Sequence, residues 1–188
     1  MKYDRDQAIK LAKDLFWKQG YQATKMRDIQ AHLNMRPGSI YAAFGNKQNL
    51  FKEVLTQYVA EFLAKIDIYM QQSEDVPAGF HTLFKAELLN QDQGTNGNIC
   101  LMVKTLSELD SVSDELALQA KSGMQQVEQK FADLIETGKQ CGNVHPQTDS
   151  QQLAKWLQMQ MVGLRTFSQN HSEEDTLTMI NKALHDLS

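Results

Sequence analysis

Arg36, Gly38, Ser39, Tyr41, Ala42 and Ala43 put one guanidinium and two hydroxyls on a short stretch with little bulk between them, and Lys47 follows closely. Such groups donate and accept hydrogen bonds. They break no covalent bond without a base, nucleophile or metal nearby, and no such arrangement is legible elsewhere in the chain. His32, His81, His145, His171 and His185 are scattered, with no i,i+4 pair and no cysteine at metal-ligand spacing. No phosphate-cradling glycine loop is present. The sequence is therefore not read as an enzyme, and no metal or cofactor is expected. A guanidinium and hydroxyls on a face of small residues suit another task, the close approach to base edges and phosphates.

That face needs helices to hold it. A first helix is expected from about Asp6 to Gln19, with Ile9, Ala12 and Phe16 as its stripe and Ala8, Leu11 and Leu15 beside it. Asp4 or Asp6 can cap it, and Gly20 can stop it at positive φ. A second helix follows Thr24 as cap and buries Met26, Ile29 and Leu33, with Ala31 small enough for a close helix crossing. Asn34 suits a left-handed turn residue, Met35 an apolar plug, and Pro37 the first position of a third helix. That helix is short, Pro37 to Phe44, anchored by Ile40 and Phe44. Lys47 begins the next helix, with Leu50, Phe51, Val54 and Leu55 inward. A lysine opposes the dipole of a helix's first turn, which makes sense if a phosphate lies there. The pattern is a helix-turn-helix, which puts one helix into the major groove.

Charge agrees. The net charge of −4 hides ten Lys/Arg against five Asp/Glu in residues 1–58, and nine against eighteen in residues 59–188. A basic head on an acidic body suits a head that meets a polyanion. Few prolines, no alternating Val/Ile/Thr runs and abundant Ala, Leu, Gln, Met, Glu and Lys make the fold class all-α. No apolar run is long enough for a membrane span, and MKYDRDQAIK lacks a signal-peptide apolar region. A cytoplasmic location is expected, with Cys100 and Cys141 as reduced thiols and Asn170-His171-Ser172 a chance glycosylation match.

The run from Thr24 to Leu50 resembles the TetR family of transcriptional regulators, through Thr24, Asp28-Ile29, Asn34-Met35-Arg36, Gly38-Ser39-Ile40-Tyr41, Phe44 and Lys47 before Leu50-Phe51. Phe16 and Gly20-Tyr21 match too, and the body resembles one branch more loosely at Cys100-Leu101-Met102-Val103, Gly142 and Gly163-Leu164-Arg165. The resemblance implies phosphate contacts at Tyr41 and Lys47 and a backbone contact at Lys25. It implies groove-facing positions at Arg36, Gly38 and Ser39, with Pro37 shaping that edge. Many members carry a histidine where this chain has Ala43. Base reading then rests more on Arg36 and Ser39, with Ala42 or Ala43 against a thymine methyl.

Residues 1–46 are read as the DNA-binding domain and residues 47–188 as a helical regulatory and dimerisation domain. A long helix over 47–72 precedes a helix opened by Pro77, a loop at residues 91–98, a helix from Ile99 to Leu109, and another from Ser113 or Asp114 to about Cys141. The last two helices start at Asp149 or Ser150 and at Ser172. Leu153, Leu157, Met161 and Leu164 on one, with Leu177, Ile180 and Leu184 on the other, are expected at a homodimer seam or else in the monomer core. A two-fold dimer would present two recognition helices to double-stranded DNA. A small-molecule inducer would meet Met102, Met124, Trp156, Met159 and Phe167, a set with the adaptability of methionine. Cys100, which follows the 91–98 loop, is the sharper sensor candidate. The resemblance implies it, since it matches a cysteine common in one TetR branch, some of whose members sense electrophiles or oxidants through thiols, and Lys104 one turn on could favour its thiolate. The expected function is a repressor released from a near-palindromic operator by a small molecule or reactive species. The alternatives are a constitutive DNA-organising protein without inducer and a redox-sensing repressor acting through Cys100.

Overall fold

The computed structural model describes residues 4–89, 99–109 and 114–187. Among them the chain forms nine α-helices and a 3-10 turn, with no strand: α1 Arg5–Gln19, α2 Met26–Leu33, α3 Pro37–Phe44, α4 Lys47–Gln71, α5 Val76–Leu89, α6 Leu101–Glu108, α7 Glu115–Cys141, α8 Ser150–Phe167, α9 Glu173–Ala183 and the turn His185–Leu187. The loop expected over residues 91–98 and the helix start at Ser113 lie outside the described residues. The chain divides into two compact units, residues 1–60 with 93–124 and residues 61–92 with 125–188. The first three helices, expected as a DNA-binding domain ending at residue 46, share a unit with α6 and the first parts of α4 and α7.

The first unit is assembled by local signals. The Asp4 carboxylate caps α1, accepting the amides of Asp6 and Gln7 at 3.1 and 3.2 Å. Gly20 ends α1 at φ +87°, a conformation that favours glycine; a Cβ there would meet only the movable carboxylate end of Glu108. The cap of α2 is Lys25, not Thr24 as expected. Asp28 accepts the Lys25 amide at 2.9 Å, whereas Thr24 is fully buried and its hydroxyl donates to the Gly20 carbonyl. Asn34 takes the left-handed turn at φ +50°. Ala31 is exposed, contrary to expectation, because Ile29 and Leu33 carry the packing of α2. The ring of Phe51 on α4 gathers the core, meeting Phe16 edge-on at 4.7 Å and stacking with Tyr21 at 4.9 Å.

The second unit has its own core, in which α5, α8 and α9 pack on one another. Phe80 of α5 meets Phe131 of α7 edge-on at 5.1 Å. Asp149 caps α8, accepting from Gln151 and Gln152, and Ser172 caps α9, accepting the Asp175 amide at 3.0 Å. Arg165 is buried beside Glu87, which takes its guanidinium at 3.1 Å and the ammonium of Lys65 at 2.8 Å, so the charge is paired in an apolar setting.

The expected seam residues fall differently. Leu153, Leu157, Met161 and Leu164 of α8, with Ile180 and Leu184 at the end of α9, are buried in this core, and Leu177 is half-buried. They share that core with residues of α5 and α7, so these side chains are used up within the chain. What α8 leaves outside is a second apolar face, with Trp156 41% and Met159 56% exposed. Gly163 lies on the same side, and a Cβ added there would meet nothing within 4 Å. Trp156 and Met159 are therefore not lining residues of a pocket within this unit, as expected of them, but surface.

Candidate nucleic-acid interface

Two buried side chains, Ile40 and Phe44, turn α3 so that the rest of it faces out. Arg36, Pro37, Gly38, Ser39 and Ala42 are exposed, Tyr41 is 51% exposed, and Lys25 stands exposed at the start of α2. Tyr41 is thus no core aromatic. A Cβ at Gly38 would meet nothing within 4 Å, so the absent side chain serves no packing inside the protein. Gly45 ends α3 at φ +76°, its amide returning to the Tyr41 carbonyl at 2.8 Å. The result is a two-turn helix whose backbone can come close to another surface, with a guanidinium, a hydroxymethyl and a phenol spread across it.

Lys47 is engaged inside the protein. Its ammonium donates to the carbonyls of Tyr21 and Thr24, both at 3.0 Å, and lies 4.2 Å from the centre of the Tyr21 ring. Burial pushes its pKa down, against an upward pull from the charge of Glu108. Without DNA, the lysine expected to meet a phosphate at the first turn of α4 is held by carbonyls, which ties the turn between α1 and α2 to α4. Lys47→Ala should lower stability by about 1.5 kcal/mol in urea melts and leave the salt dependence of DNA binding unchanged. A salt slope reduced by about one would return Lys47 to the phosphate contacts.

Around α6 the first unit is laced together. Trp17 is buried, donates through its indole to the Ile99 carbonyl at 2.6 Å, and stands perpendicular to the Tyr58 ring at 5.2 Å. Lys104 donates to the carbonyls of Trp17 and Lys18 at 2.8 and 3.2 Å, where a cation suits the end of α1. Glu108 accepts the Gln22 amide at 3.0 Å, and its carbonyl accepts the Gln22 side-chain amide at 2.6 Å. Lys104 is thus spent on α1 rather than turned to Cys100. The half-buried Cys100 thiol instead receives the Tyr58 hydroxyl at 3.6 Å. Trp17 was missed in the sequence because it lies off the helical stripe and its partner is a backbone carbonyl. Met102 is buried and Met124 half-buried in this unit. Trp156, Met159 and Phe167 belong to the other, where Phe167 stacks on the His171 ring at 3.7 Å. The six expected sensor residues are therefore divided between the two units.

Among the described residues no group of three His, Cys, Asp or Glu could hold a metal ion, and no helix is long and apolar enough to cross a membrane. A short open helix, held by two others across a left-handed turn, defines a helix-turn-helix DNA-binding protein. The family model of bacterial regulatory proteins, tetR family, matches residues 8–54, and that of the tetracyclin repressor-like C-terminal domain matches residues 87–184. The chain belongs to the TetR family of transcriptional regulators, and it is a DNA-binding transcription factor rather than an enzyme. It is 25% identical over 182 residues to the HTH-type transcriptional repressor ComR of Escherichia coli (strain K12), covering 95% of this chain and 85% of ComR. BdcR, another HTH-type transcriptional repressor of that organism, is 29% identical over 116 residues, 61% of this chain and 58% of BdcR. The fold matches that of the TetR family regulator CifR, solved as a cysteine mutant complexed with 26 bp double-strand operator DNA, with a TM-score of 0.84 and 24% identity over 98% of this chain and 97% of that one.

Proposed function

We propose that the protein is a repressor that binds a near-palindromic operator as a two-fold homodimer and leaves it when a small molecule or reactive species acts on the body. The observation that carries this reading is the exposed, small and polar face of α3. One such helix reads only a few base pairs, so a second copy is needed. Two would sit about 34–36 Å apart, one duplex turn. Arg36 and Ser39 read base edges, Tyr41 and Lys25 hold phosphates, Gly38 and Pro37 set the approach, and Ala42 meets a thymine methyl. Lys47 acts indirectly, by holding the turn.

The outer face of α8 suits the second copy. A glycine inside a helix costs about 1 kcal/mol against alanine unless it permits a close contact. Among the described residues Gly163 has no close contact to permit. The Trp156 indole donates to the Ala183 carbonyl at 3.0 Å, which fixes the ring on that face. Release follows if an effector favours a form that spoils the half-site spacing. A preference of ~100-fold shifts the equilibrium by about 2.7 kcal/mol. Because α6 is fastened to the end of α1 through Trp17, Lys104 and Glu108, a displacement of α6 would pull on the head.

Selection of bound fragments from random duplex DNA tests the reading. A near-palindromic site should emerge, Tyr41→Phe should weaken all DNA binding, and Arg36→Ala should relax the sequence preference. Recovery of no preferred site, or unchanged affinity in both folded variants, would sink it. The thiol alternative is favoured by one observation, the Cys100 sulfur lying at the start of α6 beside the Tyr58 hydroxyl. On that reading an electrophile or hypochlorite releases the wild type from DNA and not Cys100→Ser. Release in both would reject Cys100 as the sensor.

A further inference from the structure

We propose that Arg5, outside the DNA-reading helix, is a positioning residue for sequence specificity: its guanidinium fixes the roll of α3 by holding the carbonyl of Ala43. The inference rests on the DNA-reading role of α3 argued above.

α3 has eight residues, of which only Ile40 and Phe44 are fully buried. Four apart, these two lie nearly on one line along the helix axis. Anchors on one line leave a helix free to roll about it, and the small outer face of α3 has no bulk with which to resist. Roll matters here, since it decides which of Arg36, Ser39, Tyr41 and Ala42 meets the groove. A third fixed point away from that line is needed, and Arg5 on α1 supplies it. Its Nη1 donates to the Ala43 carbonyl at 2.9 Å, and its guanidinium carbon lies 4.8 Å from the centre of the Phe44 ring. Its Nε and Nη2 donate to the two carboxylate oxygens of Glu53 on α4, at 3.1 and 2.6 Å. Three helices meet at one planar group.

The chemistry fits the place. Carbonyls in the last turn of a helix lack intrahelical donors, and a cation is favoured there. In α3 the Tyr41 carbonyl takes the Gly45 amide and the Phe44 carbonyl takes the Asn46 amide, while the Ala43 carbonyl takes Arg5. Glu53 is the brace. The Arg5 side chain is 47% exposed, and the bidentate pair keeps it from swinging into solvent. A lysine cannot make the forked pair and the third bond together.

The test compares affinity for the selected operator and for a scrambled duplex, over a range of salt, with urea melts alongside. The proteins are the full-length wild type, Arg5→Ala, Arg5→Lys, Glu53→Gln and the exchange R5E/E53R. Arg5→Ala should lower operator affinity about tenfold, change scrambled-duplex affinity by less than about twofold, and keep the operator salt slope. Arg5→Lys and Glu53→Gln should fall between wild type and Arg5→Ala. The exchange rebuilds an ion pair between α1 and α4 but leaves position 5 without a donor, so stability should return while operator preference stays reduced. Recovery of both by the exchange would make Arg5 merely structural and overturn the proposal. So would an equal loss on both duplexes with a slope reduced by about one, which marks a phosphate contact. Unchanged operator preference in Arg5→Ala would overturn it too. A wild type that selects no duplex fails in a different way, removing the DNA-reading role of α3 itself.

Discussion

Met159→Glu should convert the protein from dimer to monomer and lower its operator affinity by about 1,000-fold, the scale lost when two half-site contacts stop being linked. Met159 is 56% exposed in the isolated chain, so a carboxylate there costs the monomer fold little. Across a seam with a second copy the same carboxylate would be buried in an apolar face beside Trp156 without a partner, which no interface of this kind tolerates. Gly163→Leu should act in the same direction by filling the space that a second copy would use. Leu164→Glu gives the contrast. Leu164 lies in the core of its own unit, so that variant should unfold in urea melts rather than dissociate as a folded monomer. Light scattering and circular dichroism on the same samples separate the outcomes. A Met159→Glu variant that stays dimeric, or a Leu164→Glu variant that is folded and monomeric, would move the seam back to the inner stripe of α8.

How much of this was legible in the sequence follows from the range of each interaction. The cap at Asp4, the turn at Asn34, the start at Pro37 and the stop at Gly45 depend on residues within one turn, and they stand where local chemistry put them. The outward face of α3 was legible for the same reason, since the burial of Ile40 and Phe44 decides which side of the helix turns in, though not its exact roll. Lys47 was not. Its position at a helix start suggested a phosphate, and only the fold brings the Tyr21 and Thr24 carbonyls to it. Trp17 was missed and Lys104 assigned to Cys100, because their partners are backbone atoms more than eighty residues away. The stripes on α8 and α9 carry a subtler lesson. A helix with a wide apolar surface has two faces to spend, and hydrophobic periodicity does not say which face goes to its own core. The core of the second unit takes Leu153, Leu157 and Leu164, and the weaker pattern of Trp156, Met159 and Gly163 is what stays exposed.

The recognition helix yields the second large effect. Gly38→Leu should leave the fold intact and abolish operator binding, with a loss of about 100-fold or more. In the free protein a Cβ at Gly38 meets nothing within 4 Å, and its φ is not among the positive values that demand glycine. Replacing a helical glycine even gains up to about 1 kcal/mol of helix propensity, so urea melts should show unchanged or slightly raised stability. On DNA the position changes meaning. It sits between Arg36 and Ser39 at the start of α3, and on the proposed reading the backbone there approaches the groove. A leucine there stands as a wedge and pushes back every contact made by Arg36, Ser39 and Tyr41. Each base contact is worth about 1–3 kcal/mol of discrimination, so lengthening two of them accounts for the loss. Gly38→Ala should give a smaller loss in the same direction, because one methyl holds the helix off by less. Operator titrations by fluorescence anisotropy would read the series. If Gly38→Leu bound the operator as tightly as wild type, the N-terminal end of α3 would not be the part that enters the groove, and the reading of Arg36 and Ser39 as base contacts would fall with it.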